Sequence, residues 1–196
     1  MLISIILFDD FTDLDVFLMW DLLNRVEHAA WKVRLLGERA EQRSRTHVTV
    51  RTHAGLELAA DSDAVLFAGG PGARAKLADA RFLRAIKLDA ERQLIGSVCA
   101  GTLLVAALGL LAHKRAAAQP SEHAALQRFG ARGVDEPFVC DGNVATAAGC
   151  LAAQQLVGWA VERLSSQQER DRIFETIQPL GSSSKREIHG LRRVEW

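Results

Sequence analysis

The stretch Leu94-Ile95-Gly96-Ser97-Val98-Cys99-Ala100-Gly101-Thr102-Leu103-Leu104 decides how this chain folds. Leu94–Val98 reads as a short buried strand and Ala100–Leu111, rich in Ala and Leu, as a helix, with almost nothing between them. A chain that passes from strand to helix without a loop turns sharply, and only small side chains fit around the turn. Ser97-Val98-Cys99-Ala100-Gly101 has the form small-x-nucleophile-x-Gly, the cysteine counterpart of the G-x-S-x-G elbow. Cys99 then stands before a helix N-terminus, whose positive end favours the thiolate. The competing reading is a small cysteine packed at a strand end. The placement of the small residues favours a reactive thiol, the most reactive of the three cysteines.

Outward from the elbow, short aliphatic runs alternate with longer amphipathic stretches. Leu2–Phe8, Trp31–Leu36 and Asp63–Ala68 read as strands, the first as a continuous aliphatic run covered on both faces. Val48–Thr52 with Leu56–Leu58 suggests a hairpin around Ala54-Gly55. Val134–Cys140 and Val144–Ala147 flank the tight-turn signal Asp141-Gly142-Asn143, and Ala116–Ala118 is a further short strand. Helices are expected over Asp13–Val26, Ala73–Leu77, Ala80–Arg92, Ser121–Phe129 with Ser121 as N-cap, Cys150–Leu164 and Gln167–Thr176. This alternation predicts an α/β fold, a mostly parallel sheet with helices on both faces, over residues 1–178. Residues 179–196 read as a polar C-terminal tail.

At 196 residues, 48% apolar and 24% charged, the chain fits one soluble α/β domain and excludes a disordered or disulfide-stapled one. Lys plus Arg balances Asp plus Glu at 24 each, so no global field draws it to nucleic acid or to an anionic membrane. The apolar stretch Val98–Ala112 is broken by Gly101 and Gly109 and falls short of a span of ~20 residues. MLISIILFDD lacks the basic region and cleavage site of an export signal, which makes the cytoplasm the default compartment. Cys99, Cys140 and Cys150 form no CxxC pair and no metal-ligand spacing.

Chemistry in such a fold collects at the carboxyl ends of the strands. Ala68-Gly69-Gly70-Pro71-Gly72 follows one strand, and the amides of Gly70 and Ala100 are candidates for an oxyanion hole. A phosphate cradle competes, without the Lys-Ser/Thr ending or the G-x-G-x-x-G spacing. Asp9, Asp10 and Asp13 read as solvated loop or cap residues. Asp15, among Leu14, Val16, Phe17 and Leu18, reads as a carboxyl of raised pKa that donates a hydrogen bond to the thiolate, against the alternative of an Asp satisfied by helix-start amides. Thr146-Ala147-Ala148-Gly149 ends a strand, so the helix starting at Cys150 is expected to aim its first amides, and its thiol, at Cys99. His123, four residues after Gln119, shares a helix face with it or stands one turn farther away; both are candidates to support the site from behind Cys99.

These residues resemble a family. Val98-Cys99-Ala100-Gly101-Thr102 followed by Gly109-Leu110-Leu111, the run Ala68–Gly72, Leu14-Asp15, and Asp141-Gly142-Asn143 with Thr146–Gly149 are similar in order and spacing to the ThiJ/PfpI superfamily, related in fold to class I glutamine amidotransferases. The resemblance, over about residues 2–178, implies a flavodoxin-like three-layer sandwich, a reactive elbow cysteine beside an acid, no metal or organic cofactor, and a homodimer. Many members carry His where this chain has Ala100, and others a Thr-Thr-His run where it has Ala117-Ala118-Gln119, which speaks against proteolysis and against a Cys-His glyoxalase or deglycase. The acid at Asp15 without a His partner resembles the isocyanide hydratase branch and the amidotransferase-like domains of AraC-type regulators. Leu18-Met19 departs from the Gly-Pro that commonly follows the acid, as Ala100 departs from the usual Thr. The expectation is a cofactor-independent hydro-lyase with Cys99 as nucleophile and Asp15 as proton relay. The alternative is a sensor that binds a small ligand or oxidises at Cys99. No helix-turn-helix or basic recognition helix follows residue 178, so reading DNA is not expected.

Overall fold

The computed structural model describes residues 1–177; the expected tail lies outside the described residues. Along the chain run β1 (Leu2–Ile6), α1 (Asp13–Leu23), β2 (Lys32–Leu36), β3 (Glu41–Arg43), β4 (Thr49–Arg51), β5 (Ala64–Phe67), α2 (Gly72–Lys76) and α3 (Ala80–Ala85). Then come β6 (Leu94–Val98), α4 (Gly101–Ala107), β7 (Arg115–Ala117), α5 (Pro120–Arg128), β8 (Arg132–Val134), β9 (Phe138–Asp141), β10 (Val144–Ala147), α6 (Ala153–Leu164) and α7 (Gln167–Glu175).

The main sheet has the order β2-β1-β5-β6-β10-β9, parallel throughout except for the antiparallel edge strand β9. Counting only the parallel strands gives 2-1-3-4-5, the flavodoxin-like order. Every residue of β5, β6 and β10 is buried, as strands covered on both faces require. Helix α6 returns to pack on α1, while α2 packs on α4, which lies against β5 and β6. Trp159 of α6 and Phe8, Phe11, Phe67 and Phe82 fill the two interfaces at 0–1% exposure. No helix among the described residues is long and apolar enough to cross a membrane.

Several expected boundaries shift for local reasons. The hairpin partner of β4 is β3, and Leu56–Asp61 forms a 3-10 turn, because Leu56 and Ala59 point into the core. Helix α3 stops at Ala85: Gln93 folds back to accept a hydrogen bond from the Asp89 amide, closing a turn where the helix was expected to continue. Pro120 opens α5, so the residue before the helix is Gln119 and Ser121 is no cap. Val134 belongs to β8, which pairs in parallel with β7, and only Phe138–Asp141 joins the turn to β10.

Candidate active site

Four adjacent parallel strands, β1, β5, β6 and β10, end at one edge of the sheet, and each is followed by a residue of positive φ: Asp10 at 60°, Gly70 at 133°, Cys99 at 51° and Gly149 at 93°. Each turns the chain abruptly, so the following segments begin close to the strand ends and converge. Gly70 and Gly149 take this conformation freely. Cys99 does not, and a non-glycine residue there stores on the order of 1–3 kcal/mol, held by its surroundings. The Cys99 amide donates to the Ala147 carbonyl at 2.9 Å, and the buried pair Ser97 Oγ and Thr102 Oγ1, 3.0 Å apart, ties the strand to the helix across the elbow.

Asp15 lies in the first turn of α1 with no exposed surface. The loop that delivers it is braced from outside. Asp9 pairs with Arg39 and accepts from the Arg43 amide at 2.9 Å, while Thr46 donates to Asp13 at 2.7 Å; the β3–β4 hairpin thereby holds the β1–α1 loop. Asp9 and Asp13, read as solvated from sequence, are structural ties. From inside, the Thr12 amide donates to the Gly69 carbonyl at 2.9 Å, and the Gly69 amide donates to Asp15 Oδ2 at 3.1 Å. A Cβ on Gly69 would stand 2.6 Å from both Asp15 Oδ2 and Cys99 Cβ, so only glycine lets acid and cysteine approach. Within the run expected to supply the Gly70 amide, Gly69 has a separate role that the sequence does not announce: it grips the acid.

The thiol of Cys99 lies 3.7 Å from Asp15 Oδ1, a long S–H···O contact, and 3.7 Å from Cys150 Sγ. Burial pushes Asp15 up; contacts with Cys150, Cys99 and the Gly69 amide oppose it. Burial, then the Asp15 charge and Cys150, push the Cys99 thiol up as well. This reverses the expectation of a thiol lowered by its place before a helix: α4 is only seven residues long, and desolvation beside a carboxyl outweighs it. The two groups oppose each other's charge: a carboxyl that keeps its proton favours the thiolate beside it, and an ionised one disfavours it.

Cys150 opens the 3-10 turn Cys150–Ala152, with α6 proper starting at Ala153; its thiol reaches Cys99 as expected, and all three cysteines are free thiols. Among the described residues, the amides of Gly70 and Ala100 donate to no protein acceptor, which leaves both donors available. Gln119 lies beside Gly149, its Nε2 3.6 Å from where a Cβ would stand. His123 is engaged elsewhere: its Nε2 lies 3.2 Å from the Ala118 carbonyl and 3.4 Å from Asp135, with its ring against Gly133. Cys140 is separate, its Sγ 3.4 Å from the Gly142 carbonyl.

A flavodoxin-like sheet that closes a cysteine elbow, a buried acid and a glycine turn on one point defines a class of α/β proteins with a cysteine-centred site. The DJ-1/PfpI family profile matches residues 1–163, and the chain belongs to that family. It is 35% identical over 105 residues to an isonitrile hydratase of Pseudomonas putida, a match covering 49% of this chain and 46% of that one; the chain thus matches about half the length of this relative. Among solved structures it is similar to a ThiJ/PfpI family protein from Pseudomonas syringae, with a TM-score of 0.81 and 22% identity, over 93% of this chain and 78% of the other. An AraC family transcriptional regulator from Pseudomonas putida shares the fold at a TM-score of 0.73 and 17% identity, over 90% and 99% of the two chains.

Proposed function

We propose that the protein hydrates a small isocyanide to an N-substituted formamide, with no cofactor. The observation that carries this reading is the strained Cys99 at 3.7 Å from a fully buried Asp15 in a chain homologous to an isonitrile hydratase. The reaction starts from the Cys99 thiolate and protonated Asp15. Sulfur bonds to the terminal carbon of R–N≡C, and that carbon takes the Asp15 proton, giving a thioimidate. Asp15 then removes a proton from water as the water oxygen adds to the same carbon, and passes it to nitrogen. The adduct's hydroxyl gives its proton to Asp15, the oxyanion is held by the Gly70 and Ala100 amides, and its collapse to the carbonyl breaks the C–S bond. R–NH–CHO leaves, and both residues regain their starting protons. The net change is R–NC plus water to R–NHCHO.

A second reading, binding of a small ligand beside Cys99 without turnover, is favoured by one observation: burial and Asp15 push the thiol up, which weakens it as a nucleophile. Formamide production from an alkyl isocyanide separates the two. Multiple turnovers that fall at least about a thousandfold in Cys99→Ala support hydration. Binding of the isocyanide without product supports sensing, and turnover of α-oxoaldehydes in its place would move the reaction to another class. The same reading includes a cytoplasmic homodimer: Leu14 and Phe17 flank Asp15 in sequence and Leu151 follows Cys150, and all three are exposed apolar residues. Light scattering is expected to give twice the chain mass, and a monomer mass across a wide concentration range would contradict it.

A further inference from the structure

Cys150 has no step in the hydration above, yet its sulfur completes a compact donor set. The Asp15 carboxylate oxygen and the Cys99 and Cys150 sulfurs all lie within 4.8 Å of one another, which no spacing in the sequence announces. Tetrahedral Zn2+ with Zn–S bonds of about 2.3 Å and Zn–O bonds of about 2.0 Å places two sulfurs about 3.8 Å apart and an oxygen about 3.5 Å from each sulfur. Cys99 Sγ lies 3.7 Å from Cys150 Sγ and 3.7 Å from Asp15 Oδ1, so two of the three separations already match within ~0.2 Å, the tolerance a preformed site needs.

We infer that Asp15, Cys99 and Cys150 form a binding site for a thiophilic divalent cation of the zinc class, with Oδ1 and two thiolates as three ligands and the fourth position open. The supporting shell is in place. The Gly69 amide holds Oδ2 at 3.1 Å, which fixes the carboxylate plane and leaves Oδ1 turned to the sulfurs. Asp15 is fully buried while both cysteines are half-buried, so the donors are rigid on one side and reachable on the other. Binding releases to solvent the proton shared by Asp15 and Cys99 and the proton of Cys150, and three anionic ligands leave the filled site with one net negative charge. The metal occupies the sulfur that hydration needs, so metal and electrophile compete for Cys99. The inference does not rest on hydration, since binding is read without substrate.

The test is Zn2+ titration of the reduced, metal-free full-length protein against a chromophoric chelator, with Co2+ as a spectroscopic probe. The expected result is one Zn2+ per chain, weakened at least about a hundredfold in Cys150→Ala and in Asp15→Asn and unchanged in Cys140→Ala, each variant checked for folding by circular dichroism. Co2+ in the unmutated protein is expected to show thiolate-to-metal charge transfer and the strong visible bands of a tetrahedral site. No binding, a Co2+ spectrum without thiolate bands, or Zn2+ affinity that survives Cys150→Ala would overturn the inference. The Co2+ spectrum decides the matter even where a variant does not fold.

Discussion

The two edges of the central sheet bury polar groups in opposite ways. Before the strands, Gln93, with no exposed surface, donates through Nε2 to the Ala59 and Ser62 carbonyls at 2.7 Å each and accepts from the Asp89 amide at 2.8 Å. Ser4 and Ser62 share a hydrogen bond of 2.7 Å, and Asn143 donates to the Ala90 carbonyl at 3.0 Å. Every one of these groups is neutral and satisfied. After the strands, beside the satisfied Ser97–Thr102 pair, stand a buried carboxyl and two half-buried thiols, joined by long sulfur contacts and set near amides left without partners. Burial alone therefore does not mark a site. What marks it is burial of groups that change protonation, in a setting that does not fully satisfy either state.

The comparison breaks most easily at Gln93. Gln93→Leu leaves the Ser62 carbonyl and the Asp89 amide without their protein partner and the Ala59 carbonyl with the Ser62 amide alone, so a loss on the order of 3 kcal/mol and roughly 10 °C in melting temperature is expected. Turnover per folded molecule is expected to stay unchanged. A variant that melts normally, or that folds but loses activity, would show that the two edges are not separate in role.

Gly69→Ala sharpens the other side. Its methyl would stand 2.6 Å from Asp15 Oδ2 and from Cys99 Cβ and 2.7 Å from the Val98 carbonyl, so the pair must separate. The expected stability loss is about 1–3 kcal/mol, no larger than at Gln93, with isocyanide turnover falling below detection. Activity close to the unmutated level would mean that the acid and the cysteine do not need their present distance.

Much of this was legible in the sequence, and what was not has a physical reason. The elbow could be read because a sharp strand-to-helix turn restricts the residues around Cys99 to small ones, and Asp15 stood out against its apolar neighbours. The parallel sheet followed from aliphatic runs that do not alternate, which β5 and β6 display in full burial. The lowered thiol did not follow, because a helix start is a local feature whereas desolvation comes from residues distant in sequence. The roles of Asp9, Asp13 and Gln93 were hidden for the same reason: each is fixed by a partner on another segment, Arg43, Thr46 and Ala59 among them.

A smaller effect tests the protonation of the pair itself. Asp15 has a folded-state pKa raised above its ordinary 3.8 by burial, so in the range between the two values the folded protein binds more protons than the unfolded chain. Stability is then complete below about pH 3.8, declines as pH rises through that range, and levels off above the raised value. Asp15→Asn removes the decline. Its melting temperature is expected to match the unmutated protein at about pH 3 and to exceed it by roughly a few degrees at about pH 7. A variant less stable at neutral pH would mean that the carboxylate is stabilised where it lies.

The most direct test of a coupled Cys99–Asp15 pair measures two rates on one variant. In Asp15→Asn the charge that raises the thiol is gone, while the amide still receives the Gly69 hydrogen bond and keeps a donor toward sulfur. Iodoacetamide labelling of Cys99 at neutral pH, followed by peptide mapping, is expected to become faster than in the unmutated protein, while isocyanide hydration falls about a hundredfold or more for want of a proton relay. Labelling and hydration that fall together, or hydration that persists at its original rate, would contradict the pairing of these two residues as nucleophile and relay.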